Sequence, residues 1–267
     1  MCILLAAVDC LPGWPLLVLA NRDEFHSRDS APAQPWRDAP DCVGGRDLVA
    51  GGSWLGQRND GRFAAVTNLR SGLSARAPRS RGALVTGVLF DAGCVPSWVD
   101  AMLGDVDAYG AFQLVVADAG SVWKIDAGSA TSRRLDRGIH VLSNGAGDCA
   151  WPKVERLRSR FAHAIAAGMP TDDALLGLLG DDWQPPDDAL PDTGVGIERE
   201  RLLAPIFIRG EHYGTRASTL VLHHESGTLY LRERSFGAAG AVVGDVAWEY
   251  RDAEAEWELA ADVERGP

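Results

Sequence analysis

The chain has 267 residues, 46 % of them hydrophobic and 24 % charged, which suits a globular protein with a sizeable core and excludes wholesale disorder. Lys and Arg number 26 against 37 Asp and Glu, a net charge of −11 that repels phosphate backbones and anionic bilayers and argues against a nucleic-acid or membrane-surface role. The cysteines (Cys2, Cys10, Cys42, Cys94 and Cys149) are odd in number, scattered and without zinc spacing, so a reducing compartment is expected rather than a disulfide framework.

In chain order, residues 2–8 (CILLAAV) and 16–20 (LLVLA) read as buried strands joined by a turn at Pro12-Gly13. The N-terminus lacks a basic segment and Asp9 ends its apolar run, so it reads as a strand rather than a signal peptide. No run is long enough to cross a bilayer, and a cytoplasmic protein is expected. Residues 21–24 (NRDE) follow the second strand, and 27–43, with Pro32, Pro35 and Pro40, read as loop. Gly51-Gly52 and Gly56 flank a short strand at 53–55, and Asn59-Asp60-Gly61 turns into a strand at 62–68. The basic stretch 70–81 (RSGLSARAPRSR) reads as a solvated loop. Helical spacing at 81–92 and 97–103 is followed by a hairpin of 112–117 with 121–125, and by a short strand at 140–143 closing on Asn144-Gly145. Residues 152–167 form an amphipathic helix with Pro152 in its first turn. An acidic, Pro-rich loop spans 181–199, and 215–222 pairs with 228–231. Hairpins at both ends with helices between predict an α+β fold with largely antiparallel sheets, one domain over 1–267.

Cys2 directly follows Met1, and aminopeptidases remove Met before small residues, so the mature chain is expected to begin at Cys2. Such a residue carries both a nucleophile and a base: its α-amine titrates at about 7.7–8.0 and its thiol at about 8.5. A buried strand cysteine is the structural alternative.

The segments ANRDE (20–24), GGRDLVAGGSWLG (44–56), NDGRFAAVTNLR (59–70) and YGTRASTLVL (213–222), in that order, resemble the NRDE family, also called transport-and-Golgi-organisation-protein-2-like. The resemblance is weakest over 95–135 and 170–205. That family is similar to N-terminal-nucleophile (Ntn) hydrolases and, more remotely, to the penicillin V acylase and bile salt hydrolase group. The resemblance implies a four-layer αββα sandwich with Cys2 as nucleophile. Asn21 and Asp23 match an Asn-x-Asp element in which Asp23 accepts a hydrogen bond from the Cys2 amine. Asn68 and Asn144 would donate to an oxyanion, and Arg216 would favour the thiolate. The hydrolases carry Arg just before Asn-x-Asp; here Ala20 stands there and Arg22 lies inside the element, on the opposite face by strand alternation. Glu24 is a further family acid without an assigned role, and His26 is the histidine nearest a motif. Each residue has a structural alternative: turn capping for Asp23 and Glu24, left-handed strand ends for Asn68 and Asn144, an ion pair for Arg216. His223-His224 alternate across a strand, and no metal site is expected.

Two functions follow. One is a Cys2 amidohydrolase acting on a small linear amide or acyl compound, without a cofactor. The other rests on the family's link to haem trafficking and to lipid or acyl-CoA homeostasis: a non-catalytic carrier holding its ligand in the same cleft, with Cys2 or His26 as haem ligand.

Overall fold

The computed structural model describes residues 3–70, 77–251 and 256–260. Strands β1 (Ile3–Leu11) and β2 (Trp14–Phe25) form the central hairpin, with Ile3 opposite Asn21. Side chains alternate across β1: Leu4, Ala6 and Val8 enter one core, Ile3, Leu5 and Ala7 another. Burial on both faces is why this strand reads as an unbroken apolar run.

The second sheet begins with β3 (Ser30–Trp36) and β4 (Ala39–Asp47), then β5 (Leu55–Arg58) and β6 (Phe63–Asn68). Helices α1 (Gly82–Phe90) and α2 (Val95–Leu103) follow, then β7 (Phe112–Asp118), β8 (Ser121–Asp126), β9 (Thr131–Arg134) and β10 (Gly138–Ser143). Helices α3 (Pro152–Ala164), α4 (Asp172–Leu179) and α5 (Ile197–Leu203) precede β11 (Tyr213–His223), β12 (Leu229–Phe236), β13 (Val242–Tyr250) and β14 (Glu258–Leu259). The strands form two antiparallel sheets, ordered β10-β1-β2-β11-β12-β13-β14 and β3-β4-β5-β6-β7-β8-β9.

Three apolar cores define four layers. Leu4, Val18, Phe63, Val115, Val221 and Leu231 meet between the sheets. Leu5, Leu19 and Leu220 pack outward on Leu157 and Phe161 of α3 and Leu179 of α4. On the far side Phe112 and Leu114 meet Leu84 and Val88 of α1 and Val99 of α2. The result is the expected αββα sandwich. Among the described residues no helix is long and apolar enough to cross a membrane.

Several local expectations need correction. Residues 27–43 are not a loop but most of β3 and β4; Pro32 and Pro35 fit because β3 is an edge strand, where a missing N–H breaks no ladder. Residues 21–24 do not follow β2 but lie inside it, paired with β11, and so alternate between its faces. The short strand placed at 53–55 is instead Leu55–Arg58. The acidic segment 181–199 runs into α5, whose buried Glu200 is an anchor that composition hides.

Candidate active site

The end of β2 sorts its residues onto two faces. Asn21, fully buried, points toward the helices: its Nδ2 donates to the carbonyls of Leu179 (2.9 Å) and Ile206 (2.8 Å), and its Oδ1 accepts from Ser218 Oγ at 2.6 Å. Asp23 is also buried, and its Oδ1 accepts from Thr215 Oγ1 at 2.7 Å. Among the described residues Asp23 Oδ2 has no hydrogen-bond partner, and the carboxylate makes no ion pair. Arg22 and Glu24 alternate to the other face, where both line a cleft of about 680 Å³ that reaches Asn68 and Arg81. Arg22 lies 4.3 Å over the Trp54 ring, and burial pushes its guanidinium pKa down. Glu24 Oε1 accepts from the Phe25 amide, and its Oε2 is 3.9 Å from Arg28 Nε.

Trp54 can approach because Gly45 has no side chain: a Cβ there would meet the indole ring at 2.1 Å. Gly52 likewise permits the close approach of Gly82 at the start of α1, where a Cβ would meet a backbone carbon at 2.4 Å.

Asn68 ends β6, and its carbonyl accepts from Asn144 Nδ2 at 2.8 Å, so the two predicted oxyanion donors touch across the sheets. The Asn144 carbonyl accepts from the Arg70 amide at 2.7 Å. Both asparagines line a second cavity of about 510 Å³, which shares Asn68 and Arg81 with the first. The segment after Asn144 is tied down by the Gly147 carbonyl, which accepts from Lys124 Nζ (2.8 Å) and Gln113 Nε2 (2.9 Å).

Arg216 stands at a bulge in β11, between Thr215 and Ala217. Its Nη1 donates to the carbonyls of Phe25 (2.9 Å), His26 (3.2 Å) and Arg28 (3.2 Å), pinning the turn after β2. With Arg22 it lines a third cavity, about 280 Å³. His26 lines none of these cavities; its Nε2 is 3.1 Å from the Gly210 carbonyl. Cys2, placed first by the sequence, lies outside the described residues. Among those residues no group of His, Cys, Asp and Glu could hold a metal.

Pro78, Arg79 and Ser80 of the basic stretch are exposed loop, but its two end residues, Arg70 and Arg81, are not. Arg70 Nη1 donates to buried Glu200 at 2.7 Å and its guanidinium lies 5.1 Å over Trp151, while Arg81 walls both larger cavities with its pKa lowered by burial. Residues 71–76 lie outside the described residues.

Glu233 and Trp54, not singled out in the sequence, also line the candidate site. Glu233 lies on β12, and Oε1 accepts from the Ala33 amide at 2.8 Å while Oε2 is 3.4 Å from Thr219 Oγ1. Burial pushes its pKa to about 7, against lowering by those two hydrogen bonds and by Arg22. A carboxyl raised in the folded state stabilises most below its unfolded value near 4.5, and that contribution is lost as pH rises through about 7, some 3 kcal/mol in all. His223, whose pKa burial lowers to about 4, acts oppositely over a similar window. The difference between wild type and Glu233→Gln isolates the carboxyl. Urea unfolding from pH 4.5 to 8 is expected to show the variant gaining on the wild type as pH rises; a constant difference rules the assignment out.

The two antiparallel sheets with their helical layers define an αββα protein of the Ntn-hydrolase architecture. A Caenorhabditis elegans N-acylethanolamine-hydrolyzing acid amidase ortholog shares it, with a TM-score of 0.52 at 12 % identity over 83 % of this chain and 92 % of that one. A mutant conjugated bile acid hydrolase from Clostridium perfringens gives a TM-score of 0.49 at 9 % identity, covering 98 % and 92 %. The family model Transport and Golgi organisation 2 matches residues 1–238, and this chain belongs to that family. Transport and Golgi organization protein 2 homologs from Bos taurus (31 % identical) and Homo sapiens (30 %) align over 88 % of this chain and 93 % of their own length.

Proposed function

We propose that this chain is an Ntn amidohydrolase that uses Cys2 to cleave a small linear amide or acyl compound. The observation that carries the reading is the Asp23 carboxylate, buried on β2 two residues past Asn21, the partner of Ile3, with one oxygen unpaired and no cation bonded to it among the described residues. A lone buried carboxylate costs several kcal/mol, and an ammonium group supplies the missing partner. The α-amine of Cys2, one residue before Ile3, is that partner in this reading. In the antiparallel register that sets Ile3 against Asn21, the next residue of β2 is Arg22, whose positive charge would lower the thiol pKa. This puts Arg22, rather than Arg216 alone, in the role of thiolate stabiliser.

The chemistry then closes. The free α-amine takes the thiol proton, and the thiolate attacks the carbonyl carbon to form a C–S bond. The side-chain amides of Asn144 and Asn68 donate to the oxyanion. As it collapses, the C–N bond breaks and the ammonium returns its proton to the departing amine. Water, deprotonated by the same amine, cleaves the thioester, releasing the acid and restoring the thiol. The architecture shared with an amidase supports the reading.

Intact-mass and peptide mapping after mixing with activated acyl esters and N-acyl amides test it. The expected result is an acyl adduct on a peptide beginning at Cys2. Absence of any adduct, with saturable binding of haemin or acyl-CoA instead, favours the carrier.

A further inference from the structure

Three buried N–H donors have no acceptor among the described residues: Nη1 of Arg22, Nε of Arg216 and Nε1 of Trp54. All three side chains line the same cavity of about 280 Å³, between the edge of β3 and the ends of β11, β12 and β13. A buried donor without a partner costs about 1–3 kcal/mol, so three around one space point to an oxygen-bearing guest. The donors are held in place by other contacts. Arg22 stacks on Trp54, and Arg216 is fixed through the carbonyls of Phe25, His26 and Arg28. Arg22 is only 5 % exposed, so the site is built rather than a surface collection of charges.

Glu233 shares the cavity, but its oxygens face the Ala33 amide and Thr219, and neither arginine hydrogen-bonds to it among the described residues. The other walls include Ala31, Pro32, Phe236 and Val246. The volume falls below the roughly 300–1,000 Å³ of drug-sized sites, so the guest is a few carbons long.

We propose that this pocket binds a small monocarboxylate, its oxygens accepting from Arg22, Arg216 and Trp54 and its short carbon chain lying on the apolar walls. A monoanion is favoured over phosphate because Glu233 brings negative charge to the same space once ionised. Arg22 and Trp54 also line the larger cleft, so the pocket adjoins the reaction site. The substrate is then an amide that carries a free carboxylate. That statement about substrate class rests on the hydrolase reading, whereas the pocket itself does not.

Titration of wild type with butyrate, its neutral analogue butyramide and inorganic phosphate, followed by the Trp54 indole N–H resonance, tests the pocket. Butyrate is expected to shift that resonance saturably, with butyramide without effect and phosphate weaker. Cys2→Ala should bind butyrate as wild type does. Arg216→Gln should weaken binding at least about tenfold. So should Val243→Trp, which fills the mouth from an exposed rim position and is no threat to folding. Glu233→Gln should bind more tightly above neutral pH and lose the weakening that wild type shows as pH rises through about 7. No saturable shift, an equal response to butyramide, tighter binding of phosphate, or affinity unchanged in Val243→Trp overturns the proposal. Butyrate binding in a protein that forms no acyl adduct removes the hydrolase reading and leaves the pocket standing.

Discussion

Cys2→Ala is expected to abolish acyl-enzyme formation and lower amide turnover on the order of 10³-fold or more, with the unfolding midpoint within a few degrees of wild type. A methyl at this position cannot supply a thiolate near neutrality, whereas a small change at a chain end has a small expected effect on stability. Asp23→Asn separates anchoring from nucleophilicity. The amide keeps an oxygen for Thr215 Oγ1 but removes the negative charge that favours the ammonium form of the α-amine. The amine pKa therefore falls, and the acid limb of the kcat/KM profile moves to lower pH while the rate drops on the order of 10²-fold. A profile that keeps its position, measured alongside normal folding, would show that Asp23 does not touch the amine. A Cys2 that reacts no faster than free cysteine would return the protein to the carrier reading.

Asn21→Ala is expected to cost about 3–5 kcal/mol of stability, the largest structural effect among the motif residues. The side chain is fully buried and joins three separate segments: the end of α4 at Leu179, the chain at Ile206, and β11 through Ser218. Truncation removes all three of these hydrogen bonds from a fully buried position. Urea unfolding measures this directly. Asn21→Asp should be at least as damaging, since it sets a carboxylate oxygen against those two carbonyls. A loss below about 1 kcal/mol for both variants would mean that the helix layer does not depend on this residue. The first residue of the NRDE motif is thus a bracket that holds the helices to the sheet, and the third is the one left with an unused oxygen.

Much of the fold was readable because local patterns agreed with it. The apolar run after Cys2, the turns at Pro12-Gly13 and Asn59-Asp60-Gly61, and the helix after Pro152 all stand where periodicity put them. Reading failed where tertiary context overrode composition. Pro32 and Pro35 look like loop residues until β3 is known to be an edge strand, and β9 and β14 carry no apolar run of their own. For the candidate site, the resemblance offered Asn68 and Asn144, but not that the amide of Asn144 would bind the carbonyl of Asn68.

What the sequence by itself determined is therefore the chemistry on offer and the family: a thiol directly after Met1, an Asn-Arg-Asp-Glu run and an ordered series of glycine-rich segments. Those are properties of residue identity and spacing, which need no third dimension. Only the tertiary structure decided how the motif is divided. Strand alternation turns Asn21 and Asp23 toward the helices and Arg22 and Glu24 toward the cleft, and which face is which depends on what packs there. The pairing of Arg22 with Trp54, and the meeting of both with Arg216 and Glu233, joins residues far apart in the chain through the approach of one sheet to the other. No periodicity encodes such a meeting, because it follows from how two complete sheets settle on a shared core.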